Sequence, residues 1–228
     1  MRMRRPMMPR AGVAGEPAHT RLMEGSTSGY TITPDTPTVD QRRFYAEYHG
    51  HPPDQLETVV RSLRDQGKTL IWLAGDSSLD NKYWFHDSSP ALNGYEHILS
   101  PAVMKQDVSY WLNATAADRA QQGGDGPPLA CVNTAIEATS LNDRACSKLW
   151  AQDELIRQHI GPDDILIVSV GGNDVALQPL LCTVLSMFAM VYVPSSCDFS
   201  FAELTLHEMC YRYMVDMFKN RVGNYTRR

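Results

Sequence analysis

Two short motifs, each closing an apolar run, carry residue types suited to acyl transfer: Gly75-Asp76-Ser77 and, about a hundred residues later, Gly171-Gly172-Asn173-Asp174. A serine on a tight turn after a buried strand is held exposed beside backbone N–H groups that stabilise a developing oxyanion. Ser77 has that placement, and the amide of Asn173 could point across the sheet edge toward it. Gly-Asp-Ser alone fits equally a plain turn in which Asp76 or Ser77 caps a helix. The second motif, at the end of its own strand, is what argues for chemistry.

The elements that must hold these residues follow from patterning. Thr69–Ala74 is continuous, apolar and short, as for a strand buried on both faces of a parallel sheet. Leu129–Asn133 and Ile165–Val170 read the same way. Before the first strand, Leu56, Val59, Val60 and Leu63 mark one face of a helix, with Asp54 and Glu57 resembling a capping box and Gly67 ending it. Residues 79–128 read as a long irregular connection, of the kind that shapes a substrate site. Ala145, Leu149, Leu155, Ile156 and Ile160 suggest one helix that stops at Gly161-Pro162. Ser200 with Glu203 again resembles a capping box, opening an amphipathic helix with Leu204, Tyr211, Val215, Phe218 and Val222 on its apolar face. Strands alternating with helices predict an α/β fold with a mostly parallel sheet, ligand sites lying beyond the carboxyl ends of the strands.

Composition bounds the function. At 228 residues and 43% hydrophobic the chain supports one full-sized domain, expected over residues 39–228. Residues 1–38, rich in Pro, Gly, Ser, Thr and Arg, read as a disordered basic arm. A formal charge of −5 argues against a nucleic-acid partner. Five cysteines without a C-x-x-C pair suggest neither a disulfide framework nor a zinc site, and histidines and carboxylates do not cluster at ligand spacings, so no metal and no cofactor is expected. The apolar run Leu180–Val193 is too short for a stable membrane span and is expected as a buried element. Without an apolar signal region, and with cysteines unpaired, the expectation leans to the cytoplasm. Asn113-Ala-Thr115 and Asn224-Tyr-Thr226 fit the glycosylation acceptor pattern. Trp72, Trp84 and Trp111 are expected in the core, although aromatic residues also line sugar sites.

In combination the two motifs resemble the SGNH (GDSL-type) hydrolase superfamily, over roughly residues 69–175. The resemblance implies a three-layer α/β sandwich with a mostly parallel central sheet, of flavodoxin-like type. It implies Ser77 as nucleophile and oxyanion N–H donor, Asn173 as a second donor, and Gly75, Asp76, Gly172 and Asp174 as the residues framing them. Between the two blocks the family carries an Asn followed by a small-residue turn whose glycine N–H also donates. Here Asn133-Thr-Ala135-Ile-Glu-Ala138 has that order, with alanine for glycine, and either Ala135 or Ala138 could take the role.

The family's Asp-x-x-His, which supplies the catalytic base, occurs nowhere in these 228 residues. The resemblance therefore implies a chain that stops one strand early. His207, placed beside Tyr211 on an apolar helix face, reads as a core histidine, and His86, next to Asp87, is a weaker substitute. Two functions remain: a serine hydrolase of a small-molecule ester, acylated sugar or lipid, or a non-catalytic α/β module that binds a carbohydrate or acyl ligand.

Overall fold

Alternate residues of Thr69–Gly75 serve opposite faces of a three-stranded parallel sheet, and this strand is its centre. The computed structural model describes residues 38–176, 183–185, 187–188 and 201–228, with only the backbone of Cys146 and of residues 201–207. The predicted basic arm, the Ser200–Glu203 capping box, most of the run Leu180–Val193 and the His207 side chain lie outside these residues.

In chain order the described elements begin with β1 (Val39–Asp40), α1 (Gln41–Ala46), α2 (Pro53–Asp65) and β2 (Thr69–Gly75). The connection that follows holds β3 (Ser88–Pro90), β4 (Leu99–Ser100), β5 (Val103–Lys105) and α3 (Val108–Gln121). Then come β6 (Leu129–Asn133), α4 (Leu141–Cys146), α5 (Ala151–His159), β7 (Ile165–Ser169), α6 (Gly172–Ala176), α7 (Phe201–Val215) and α8 (Arg221–Thr226). The main sheet has the order β6-β2-β7, all parallel, with Leu73 opposite both Asn133 and Ile167. Two small pairs accompany it, β1 with β4 (parallel) and β3 with β5 (antiparallel). The protein is thus a mixed α/β structure with small, mostly parallel sheets. Because the chain leaves β2 for β6 on one side and then crosses to β7 on the other, the carboxyl ends of all three strands share one rim, split where the connections diverge. Such a split is where α/β folds open a crevice.

The period of two along β2 divides the core. Leu70, Trp72 and Ala74 join Ala130 and Val132 of β6, Leu56, Val59, Val60 and Leu63 of α2, and Leu155 and Ile156 of α5 on one face. Ile71 and Leu73 join Leu79, Cys131 and Ala135 on the other. Proline at the first position of α2 suits a helix start, where its missing N–H would have had no partner. The expected capping box does not form there: Asp54 instead takes a two-pronged pair from Arg43, at 2.7 and 2.9 Å.

Within the connection read as irregular, α3 runs beside the outer edge of β6. The Asn113 carboxamide pairs with that edge as a strand would, accepting from Cys131 N at 2.9 Å and donating to Cys131 O at 3.0 Å. Asn93 donates to Leu129 O at 3.0 Å and the Tyr95 hydroxyl to Cys131 O at 2.8 Å. An exposed edge would invite pairing with another chain, and these side chains close it. Asn113 is fully buried in that role, so the folded protein does not present it for glycosylation.

The single helix expected over 145–160 is two, α4 and α5, broken at 147–150. Nine residues along one continuous helix would put Arg144 and Asp153 on opposite sides, some 13 Å apart along the axis. The break brings them into a buried ion pair.

Candidate functional site

The three loops that leave the carboxyl ends of β2, β6 and β7 are tied together by hydrogen bonds at the shared rim. Asp76 is buried within the first turn. Its N–H donates to Ser169 O at 3.0 Å, while its carboxylate accepts from Ser78 N at 3.0 Å and from Gly171 N at 3.2 Å. The aspartate therefore fixes the β2 turn and joins it to the β7 loop. A carboxylate spent on backbone donors is a structural brace rather than a free base. Gly75 is required by proximity: a Cβ there would sit 1.8 Å from Ser169 O. Gly171 has φ +120°, and a Cβ on it would press on the Phe218 ring at 2.9 Å.

Ser77 is half-exposed at the crest of this turn, and among the described residues neither its N–H nor its hydroxyl has a hydrogen-bond partner. The adjacent Ser78 hydroxyl is occupied by that of Ser169, 2.7 Å away. The loop after β6 lies against the same turn. Thr134 N and Ile136 N donate to Leu73 O and Gly75 O at 3.0 and 2.9 Å, so the strand pairing persists beyond the strand itself.

Asn173 lies at the head of α6 and is buried, its Nδ2 donating to Thr139 O at 2.9 Å. One amide hydrogen is thus committed to the β6 loop and the second is left over. Gly172, just before it, is exposed, and a Cβ there would approach the Asp76 carboxylate at 3.9 Å. Asp174 is fully buried. Its carboxylate caps α4 by accepting from Leu141 N and, at 3.0 Å, from Asn142 N.

The two alanines of the β6 loop differ. Ala135 is fully buried and its N–H donates to Asn133 Oδ1 at 3.1 Å. Ala138 is half-exposed at φ +60°, and its N–H has no acceptor among the described residues. Alanine pays about 1–2 kcal/mol for the left-handed region. We therefore expect Ala138→Gly to raise stability by up to about 1 kcal/mol in urea unfolding, with unfolded-chain entropy offsetting the rest. A clear loss of stability would show that the alanine methyl packs productively instead.

Behind the rim lie residues that a reading by motif passes over. Arg144 is fully buried, and its guanidinium donates to Gly75 O at 2.7 Å and Thr139 Oγ1 at 3.2 Å while pairing with Asp153. Tyr225, from α8, donates to Asp153 at 2.8 Å and lies 5.5 Å beneath the guanidinium. Asp80 accepts from Gly50 N and Glu137 N, both at 2.7 Å, and pairs with Lys82 in a fully buried bridge. Arg144 thus holds the Gly75 carbonyl of the turn, and Asp80 holds the Glu137 N–H of the β6 loop.

Of the tryptophans expected inside, Trp72 is buried, but Trp84 and Trp111 are 61% and 57% exposed. His86 is exposed. No histidine hydrogen-bonds Ser77 among the described residues, and none of their His, Cys, Asp and Glu side chains form a group able to hold a metal ion. No helix among them is long and apolar enough to cross a membrane. No family model, no curated protein and no solved structure matches the chain.

Proposed function

We propose that the rim is the acyl site of a serine ester hydrolase of the SGNH kind, and that the sheet belongs to the three-layer sandwich the resemblance implies. The observation that carries this reading is the convergence of the loops: the turn bearing Ser77, the loop bearing Ala138 and the loop bearing Asn173 are hydrogen-bonded to one another at the strands' carboxyl ends. In this reading the Ser77 hydroxyl attacks the acyl carbon of a carboxylic ester. The oxyanion is received by the N–H groups of Ser77 and Ala138 and by the second amide hydrogen of Asn173. The alcohol departs with the proton, and water then attacks the acyl-enzyme to release the acid. Asp76 acts by fixing the turn.

A second reading, a binding module without turnover, is favoured by one observation: among the described residues no base contacts the Ser77 hydroxyl. Oxyanion donors without a base still accelerate acyl transfer by roughly 10³–10⁴ over water in a serine protease stripped of its triad. Release of nitrophenolate from 4-nitrophenyl acetate is therefore expected from the wild-type chain and from Ser78→Ala, and is expected to fall in Ser77→Ala to the lower residual rate that the oxyanion donors alone sustain. Equal rates in wild type and Ser77→Ala would remove the hydrolase reading and leave the binding module.

A further inference from the structure

The two edges of the main sheet are finished differently. On the β6 side, Asn113, Asn93 and Tyr95 take up the outward carbonyls and N–H that a further strand would use. On the β7 side no described residue does so. Ser169 O accepts from Asp76 N, so Ser169, and with it Ile165 and Ile167, turns its backbone toward β2. Leu166 and Val168 alternate with these and turn theirs outward, where neither N–H nor C=O has a hydrogen-bond partner among the described residues. The strand is also open to solvent, with Ile165 and Leu166 44% and 37% exposed. Residues 165–170 read Ile-Leu-Ile-Val-Ser-Val, without a charge or a proline. An exposed apolar edge of this kind is a template for another strand.

The ground beside β7 fits this strand to its own copy. At the rim end Phe218 lies against Gly171, where an added Cβ would sit 2.9 Å from the ring, and it is 39% exposed. At the opposite end Ile156, Ile160, Leu166 and Tyr225, with Arg227, line a hollow of about 250 Å³. A cavity of roughly 150 Å³ holds benzene, so this one admits an aromatic ring. Ring and hollow thus occupy opposite ends of one strand, and an antiparallel pair of β7 strands brings each ring toward the other copy's hollow. With no charge in 165–170, two copies of formal charge −5 can meet there without like charges directly opposite one another. Because the β6 edge is closed, each copy offers one edge of the main sheet, and assembly stops at two.

We propose that β7 pairs antiparallel with β7 of a second copy of this chain, joining two three-stranded sheets into one of six strands. The twofold axis passes through Val168, so that Leu166 lies opposite Val170 of the partner subunit, and Phe218 of each copy packs into the other's hollow. Strand direction reverses at the join, which sends the two Ser77 rims to opposite ends of the sheet. The pairing is therefore independent of the hydrolase reading. Six strand residues and one ring a side are fewer than the about 20–30 residues of a standard interface, and the dimer is expected to dissociate at roughly micromolar concentration.

Sedimentation velocity of the full chain from about 1 to about 200 µM tests it, and a monomer–dimer equilibrium is expected. Ile165→Lys places a charge on the open edge and Phe218→Ala removes the ring, both at exposed positions where the monomer keeps its fold, as circular dichroism would verify. Each is expected to raise the dissociation constant about tenfold or more. Hydrogen exchange reads the edge itself: the Leu166 and Val168 amides are expected to exchange slowly at about 200 µM and quickly at about 1 µM. A monomer at every concentration overturns the proposal and leaves the edge to a strand of a different protein. A dimer that survives both substitutions, or exchange at Leu166 and Val168 that ignores concentration, overturns it as well. Growth beyond the dimer overturns it in favour of a head-to-tail contact.

Discussion

Asp164→Ala is expected to destabilise the folded chain by about 3–5 kcal/mol, the range for removing one partner of a buried charge pair. The residue ends the turn before β7, and its side chain is almost wholly shielded from solvent. Its carboxylate accepts from both guanidinium nitrogens of Arg64, from Trp72 Nε1 and Leu70 N at 2.9 Å, and from Gly161 N at 2.8 Å. One side chain thus joins α2, β2 and the start of β7. Alanine would strand the indole and backbone donors in a dry interior. Burial alone would raise this carboxyl, but the hydrogen bonds outweigh it and hold Asp164 at about 2, below an ordinary 3.8. A folded-state value below the unfolded one stabilises fully above about pH 4 and is lost as pH falls toward 2. The shift corresponds to about 2 kcal/mol. Urea unfolding at pH 7 and pH 3 should therefore show a smaller penalty for Asp164→Ala at the lower pH. An equal penalty at both would mean that packing, not charge, dominates.

Arg144→Met is expected to cost a similar 3–5 kcal/mol, and also to loosen the Ser77 turn. The arginine holds Gly75 O, the carbonyl two residues before the serine, and compensates Asp153 in a site sealed by Tyr225. Burial raises the Asp153 carboxyl above its usual range even with Arg144 in place, the guanidinium and the Tyr225 hydroxyl pulling the other way. Without Arg144 the aspartate would be driven further toward its neutral form. Since a raised folded-state value stabilises below the unfolded one and is lost as pH rises, the variant should unfold more readily at pH 8 than at pH 5. Arg144→Met with Asp153→Leu should recover part of the loss, because no buried charge is then left alone. A double variant no more stable than Arg144→Met would show that the hydrogen bonds to Gly75 and Thr139, rather than charge balance, carry the effect.

What could be read from residue order differs by element for physical reasons. β2, β6 and β7 were plain because continuous apolar runs are how strands buried in a parallel sheet look, and α2 because Leu56, Val59, Val60 and Leu63 all face the core. Helix α3 left no such trace: its buried positions are Ser109 and Asn113, the latter spent on the β6 edge, while Trp111 faces water. Of the apolar face expected near the C-terminus, only Val222 packs against the core among the described side chains. Tyr211, Val215 and Phe218 are exposed, while Cys210, Met217 and Tyr225 are buried. A π-helical turn at Asp216–Asn220 follows α7, so the spacing of inward positions changes from Met217 onward.

At the rim, Ser77, Asp76 and the Asn173 loop were legible as turn residues after strands. The choice between Ala135 and Ala138 was not, because it depends on which N–H the loop already uses. Arg144, Asp80 and Asp164 were invisible as site-building residues, since a charged side chain reads as surface until its partners are known.

The proposed acyl site depends on the Ser77 hydroxyl standing free at the rim. Treatment of the chain with a fluorophosphonate, tryptic digestion and tandem mass spectrometry tests this directly, since cleavage after Lys68 and Lys82 releases Ser77 within the peptide 69–82. The account predicts one adduct, on Ser77 and not on Ser78, absent from Ser77→Ala. An unlabelled wild-type chain, or equal labelling of wild type and Ser77→Ala, would contradict it.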